Sequence, residues 1–222
     1  MSNVFHSMKL DYYVLKGNYK IFLVFPYLIA LGLGFTKYTY MMGMIVLLIS
    51  AVSGTTFFSI YEKNNLSKLY GMLPLKKSEA VLGRYLYTLL FGIINGIVSG
   101  ALTYLFSFVL KNSITPLAFS VSMSIGFLYY CFIISMEFPI LFRFGFSKAY
   151  MLTTLPMYLL FIFGLIISKK VDFNSVSQSM NQAIGYFTAN PALVWVIGIG
   201  AGLVLVCISY ATASAISKRR EL

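Results

Sequence analysis

The sequence predicts an all-α membrane protein with six transmembrane helices, an N-terminal amphipathic helix in the membrane interface and a short helix in a cytoplasmic loop. Three observations predict it. Of the 222 residues, 59% are apolar and only 10% charged, with mean hydropathy +0.83, which is not the balance of a soluble domain. The apolar residues gather into stretches of about 20 or more, the length a helix needs to cross a hydrocarbon layer roughly 30 Å thick. Finally, the 17 Lys and Arg residues sit between those stretches rather than in one stripe. The net charge of +11 therefore reads as membrane topology and not as a nucleic-acid footprint, and the lipid bilayer is the expected surrounding.

The first element, residues 1–18, is the interfacial helix. Val4, Phe5, Met8, Tyr12, Leu15 and then Tyr19 recur at helical spacing within an arc of about 100°. Lys9 and Lys16 flank that arc, so their stems cover apolar surface while the ammonium groups reach anionic headgroups. Lys9, Asp11, Lys16 and Lys20 interrupt any signal-peptide pattern, so the first span is expected to serve as the insertion signal.

The spans are expected at 19–38, 39–60, 81–110, 117–138, 149–168 and 191–217, with the whole chain, 1–222, forming one transmembrane domain. Only a turn near Thr36 and Lys37 separates the first two, so a single bent, re-entrant hairpin is the alternative there. The stretch 81–110 exceeds one crossing, which requires tilt or extension into water. Gly92, Gly96 and Gly100 recur every four residues along it and permit close approach of a second helix, from this chain or from another copy. Glu137, beside Pro139 and near Arg143, predicts the end of the fourth helix and an interfacial or salt-bridged carboxylate.

Basic residues set the orientation, because Lys and Arg near span ends are retained in the cytoplasm. Lys9, Lys16 and Lys20 precede the first span. Lys63, Lys68, Lys76, Lys77 and Arg84 belong to the loop region before the third, Arg143 and Lys148 follow the fourth, and Lys218, Arg219 and Arg220 close the chain. Of the 17 basic residues only Lys37, Lys111, Lys169 and Lys170 fall on the other side. Six spans with both termini cytoplasmic satisfy this asymmetry, and the protein is expected in the cell membrane.

Catalytic chemistry finds little support. His6 is the single histidine, and the spans lack the clustered carboxylates or nucleophiles of an intramembrane enzyme. Cys131 and Cys207 both lie in apolar runs and read as packing residues, with neither a disulfide framework nor a thiolate metal site available. No Gly-x-x-x-x-Gly-Lys-Ser/Thr run exists to bind ATP, and the series Gly198, Gly200, Gly202 belongs to a span, not to a dinucleotide fingerprint. No cofactor is expected in this chain. Mid-span positions also lack the charges of ion-coupled transporters, so any transport must be powered from elsewhere.

The informative loop is 61–80. Leu66, Leu69, Tyr70 and Leu73 follow the i, i+3, i+4, i+7 rule, giving about two turns of helix with one apolar face, and Pro74 stops it. Ser78 is placed to cap the next helix, with Glu79 in its first turn. So short a helix is unstable alone and must bury its apolar face against headgroups, neighbouring spans or a partner groove. In 168–191 the run Asn174, Ser175, Ser177, Gln178, Ser179, Asn181 and Gln182 predicts a water-facing external segment. Met180, Ile184 and Phe187 suggest that part of it is helical.

The stretch Leu73-Pro74-Leu75-Lys76-Lys77-Ser78-Glu79-Ala80-Val81-Leu82-Gly83-Arg84-Tyr85-Leu86 resembles the membrane subunits of type-two ABC transporters, in particular compact bacterial permeases without a fused ATPase domain. It is similar in its Leu-Pro segment, its basic residues, its polar turn and its Lys/Arg-aromatic pair opening the third span, although Lys77 stands where Arg is more usual. Chain length, six spans, the interfacial helix and the external segment agree along essentially the whole chain. The resemblance implies that two permeases, identical or paralogous, pair with two separate ATPase subunits that bind ATP and Mg. It also implies that the loop helix is a coupling helix, with Leu66, Lys68, Leu69, Tyr70, Leu73, Pro74, Lys76 and Lys77 at the ATPase contact. Exported cargo in such permeases includes peptides, drugs, lipids and polysaccharides, and an aromatic content of 17% favours a hydrophobic or amphipathic cargo, so peptide or drug export is the expectation. A rival from another class is an assembly or immunity factor that binds a partner through the same loop but moves nothing.

Overall fold

The computed structural model describes residues 2–16, 20–36, 38–64, 77–111, 114–149, 151–153, 186–187 and 190–219. Among them the chain is helical, with short turns and no strand. The helices are α1 (Ser2–Lys16), α2 (Lys20–Gly34), α3 (Met42–Ala51), α4 (Ser53–Lys63), α5 (Lys77–Val109), α6 (Pro116–Phe144) and α7 (Pro191–Arg219), with a 3-10 turn at Thr39–Met41 before α3. Four helical stretches are long and apolar enough to cross a membrane: Thr39–Lys63, Ser78–Val109, Pro116–Phe144 and Pro191–Lys218. The expected fifth span is described only over 149 and 151–153, and most of the external segment lies outside the described residues.

In the first expected span, 19–38, the described helix is α2, which ends at Gly34, a few residues before the expected boundary. A built turn ends it. The Thr39 hydroxyl donates to the carbonyls of Gly34, at 3.2 Å, and Thr36, at 2.8 Å, while the Tyr38 amide donates to the Thr36 hydroxyl at 3.2 Å. A side chain on Gly34 would press on the Phe106 ring, 2.7 Å from its Cβ, which explains glycine at this close approach. The chain turns back and α3 packs on α2, joined to α4 through Val52.

Helix α6 is the centre. Thr115 caps it by accepting from the Ala118 amide at 3.3 Å, Pro116 opens it, and Gly145, at φ 78°, closes it with its amide on the Leu141 carbonyl at 2.9 Å. Contrary to expectation, α6 does not stop at Phe138 but runs through Pro139 to Phe144. A proline inside a helix leaves the carbonyl four residues earlier without its amide donor, here that of Ser135. Ser209 of α7 donates to that carbonyl at 2.8 Å. With its proton so used, Ser209 Oγ accepts from the Tyr85 hydroxyl of α5 at 2.6 Å. The proline is therefore tolerated because two neighbouring helices repair the backbone it breaks. Glu137 is buried within the bundle, 5% exposed, and its Oε2 has no hydrogen-bond partner among the described residues.

Helix α5 begins at Lys77, so Ser78 lies inside its first turn and does not cap it, while Glu79 is in that turn as expected. The three spaced glycines of α5 face neighbours within the chain. A Cβ on Gly92 would overlap the ring of Tyr130, whose hydroxyl donates to the Thr88 carbonyl at 2.6 Å; one on Gly100 would sit 3.5 Å from Phe119; one on Gly96 would meet Leu47 no closer than 3.8 Å. Cys131 is buried against Gly202 of α7, and Cys207 is exposed.

Two outcomes follow for thermal unfolding of the purified protein in detergent. Gly92→Ala is expected to destabilise by about 1–3 kcal/mol, because overpacking against a buried ring outweighs the helix preference of alanine, whereas Gly96→Ala should be neutral or stabilising. Ser209→Ala should cost about 1–3 kcal/mol by stranding the Ser135 carbonyl, and roughly half of that in a Pro139→Ala background, where the helix amide is restored. Equal costs of Ser209→Ala in both backgrounds would refute the repair.

Candidate functional site

The residues that do not fit an apolar bundle converge at one end of it. Arg84 lies at the end of the second turn of α5 and is 5% exposed, although the sequence places it among loop cations. Burying a guanidinium requires replacement of its water, and four aromatic rings with one carboxylate supply it. The guanidinium carbon is 4.2 Å from the centre of the Phe57 ring, 4.8 Å from Phe58, 4.8 Å from Tyr61 and 5.3 Å from Phe142. The Asp11 carboxylate of α1 approaches Arg84 Nε at 3.8 Å and is itself fully buried. Helices α1, α4, α5 and α6 thus meet on one side chain.

Local sequence makes this possible. Phe57, Phe58 and Tyr61 lie within one turn or so of α4, presenting three rings on adjoining faces, and Phe58 packs edge-on against both Phe138 and Phe142 of α6. Gly83, just before Arg84, lets α1 approach: a Cβ there would stand 2.7 Å from the Ser7 hydroxyl and 3.2 Å from the Val4 carbonyl. The edge of α1 that enters the bundle is consequently Ser7 and Asp11, four residues apart and both fully buried.

The predicted apolar arc of α1 turns elsewhere. Val4 and Met8 are half-buried beside the contact, Phe5 and Tyr12 remain 63% and 48% exposed, and Leu15 belongs to the same helix. Lys9 and Lys16 are exposed, as their flanking positions require.

A second polar link lies beside the first. Glu62, on the last turn of α4, accepts from the backbone amides of Phe146 at 2.7 Å and Ser147 at 3.0 Å, and from the Ser147 hydroxyl. A carboxylate there meets the backbone amides at the start of the helical residues 146–149, just after the Gly145 turn. Residues 61–64, at the entrance to the 61–80 loop, are thereby tied to the chain that follows α6.

Of the predicted loop contact, Lys77 is the first residue of α5, while Leu66, Lys68, Leu69, Tyr70, Leu73, Pro74 and Lys76 lie outside the described residues. No group of three or more metal-ligating side chains occurs among the described residues. Sequence reasoning missed Asp11 and the inward direction of Arg84. The available signal was an arginine within an apolar helical run, an acidic residue bordering an apolar arc, and aromatics at 57, 58, 61, 138 and 142.

A family model described as ABC-2 family transporter protein matches residues 8–218, from the buried edge of α1 to the end of α7. Comparison with curated proteins and with solved structures finds no match. With nearly the whole chain matched, and with four helices among the described residues long and apolar enough to cross a membrane, this multi-pass membrane protein belongs to the ABC-2 family of transporter proteins.

Proposed function

We propose that this chain is the permease subunit of an ATP-driven exporter. Two permeases, identical or paralogous, pair with two copies of a separate ATPase and export amphipathic peptides or drugs. Both termini and the 61–80 loop face the cytoplasm, and α1 lies in the membrane interface. Membrane components of the ABC-2 family generally pair with an ATPase subunit. The absence of a phosphate-binding loop from the sequence supports that division, with ATP and Mg held by the partner.

The observation that carries this reading is the closed base of the 61–80 loop. Tyr61, where the loop departs, and Arg84, just beyond where it returns, are in contact at 4.8 Å. A segment anchored at both stems transmits a push, whereas one hung on free stems would absorb it. Here the stems also hold α1 through Asp11 and α6 through Phe142, so displacement of the loop reaches four helices together. The apolar face of Leu66, Leu69, Tyr70 and Leu73 suits a groove on the ATPase, with Lys68, Lys76 and Lys77 at its margin and Pro74 ending the helix.

Orientation is tested with single cysteines in a chain lacking Cys131 and Cys207, labelled by an impermeant reagent in intact cells. Positions 37, 111 and 170 are expected to label, and positions 68, 143 and the C-terminus only after permeabilisation. Labelling of 68 and 170 from the same side would overturn the orientation.

Docking is tested with Leu69→Asp combined with Tyr70→Asp. Burying two unpaired carboxylates costs far more than the apolar area lost, so copurification of the ATPase should fall by at least about tenfold at equal membrane abundance. Lys76→Gln with Lys77→Gln should have a smaller, salt-sensitive effect. Undiminished ATPase recovery with the Asp variant would remove the loop helix as the coupling element.

A further inference from the structure

Helix α1 is attached to the bundle in an unusual manner. Among its described side chains the fully buried ones are Ser7 and Asp11, both polar, while Phe5, Tyr12 and Tyr13 are 63%, 48% and 57% exposed. No described α1 residue belongs to the apolar core. Its buried edge meets α5 at the close approach of Gly83 and at the ion pair of Asp11 with Arg84, with Val4 and Met8 half-buried beside them. Such a pair has two comfortable arrangements. Docked, the two charges face each other at 3.8 Å beside the rings; fully parted, Asp11 reaches water, and Arg84 keeps the four rings, which come from α4 and α6 and not from α1. Partial separation weakens the attraction between the two charges before Asp11 gains water, which disfavours the intermediate. The exposed aromatics of α1 retain lipid contact in both arrangements.

We propose that α1 is a detachable latch on the head of α5, with Asp11 and Arg84 as its catch, and that it releases and re-engages during the ATP cycle. Arg84 is a positioning residue in this scheme. The same two turns of α5 seat α1 and carry the returning end of the 61–80 loop, so any rotation or tilt of that end alters the geometry at Gly83 and Arg84 together. The link to ATP rests on the proposed coupling role of the loop. The two-position behaviour of α1 does not.

Ser7 reports the latch, because it is fully buried when α1 is docked. Ser7→Cys is placed in a full-length chain carrying Cys131→Ala and Cys207→Ser, and maleimide labelling is followed in liposomes. Slow labelling is expected, rising about tenfold or more with Asp11→Asn, which breaks the catch, and likewise with Gly83→Ala, which wedges the contact without removing a charge. Tyr12→Cys, exposed in the docked state, should label at one rate in all backgrounds and so separates undocking from misfolding. In the complex purified with its ATPase, saturating ATP should change the labelling of the Ser7→Cys chain by a similar factor while that of the Tyr12→Cys chain stays constant. Labelling at position 7 that neither Asp11→Asn nor Gly83→Ala alters overturns the latch. Equal labelling there with and without ATP, in a complex that retains its ATPase, overturns its place in the cycle and leaves the coupling role standing. Failure of any ATPase to copurify overturns the coupling role, whatever position 7 shows.

Discussion

A guanidinium inside an apolar bundle is the constraint around which this end of the molecule is arranged. Arg84 is 5% exposed, and the transfer of its charge from water would be prohibitive without replacement contacts. Rings alone supply attraction but no counter-charge; a carboxylate alone leaves the flat faces of the guanidinium bare. The structure uses both, and because no single helix can surround a side chain, the contacts must come from four. Asp11, Phe57, Phe58, Tyr61 and Phe142 thereby fix how α1, α4 and α6 stand relative to α5. The compact approach of α1 follows from the same requirement, since the Asp11 carboxylate reaches Arg84 only if glycine occupies position 83.

Backbone saturation is the second constraint, and it selects the same level of the bundle. Pro139 removes an amide from α6, and the chain Tyr85 to Ser209 to Ser135 restores it. Tyr85 is the immediate neighbour of Arg84, and its ring packs on Phe138 at 4.8 Å. One dipeptide of α5 therefore satisfies a charge on one side and a broken helix on the other. Substitution at either residue disturbs more than one helix pair, which is why the Lys/Arg-aromatic pair that opens this helix is more than a membrane-boundary marker.

Much of the fold was legible because its signals are local. Apolar length located α5, α6 and α7 to within a few residues at most ends, and of the spaced glycines of α5 Gly92 marked a close approach, to Tyr130. The failures have physical causes. Helix α6 outran its expected end because the repair of Pro139 comes from Ser209, 74 positions away from the carbonyl it serves, and no local pattern reveals a distant donor. The turn expected near Thr36 and Lys37 is present, and the hydrogen bonds of Thr36 and Thr39 that build it end α2 at Gly34, a few residues before the expected boundary. Arg84 was counted with the loop because hydropathy weighs a charge and does not see its cage. Asp11 escaped notice because a single acidic residue in an amphipathic helix ordinarily faces water.

The interior of α5 shows what kind of motion this arrangement permits. Thr88, Asn95, Ser99 and Thr103 line its buried side, while Ile93, Ile94, Ile97, Val98, Leu105 and Phe108 face outward. Most of those inward groups bond their own helix: Thr88 to the Arg84 carbonyl at 2.8 Å, Asn95 Nδ2 to the Phe91 carbonyl at 2.8 Å, Ser99 to Gly96 at 3.1 Å and Thr103 to Ser99 at 2.8 Å. Bonds that stay within a helix survive when the helix shifts, so a polar interior of this kind resists sliding less than one stitched by bonds between helices. Two bonds join this side of α5 to other helices: the Tyr27 hydroxyl donates to Asn95 Oδ1, and the Tyr130 hydroxyl donates to the Thr88 carbonyl. Below them, toward the loop, stand the Tyr85–Ser209 bond and the Arg84 cage. The cage and the Tyr85–Ser209 bond join α1, α4, α6 and α7 to the first turns of α5, so a displacement applied where the loop joins the bundle carries the ends of several helices as a unit.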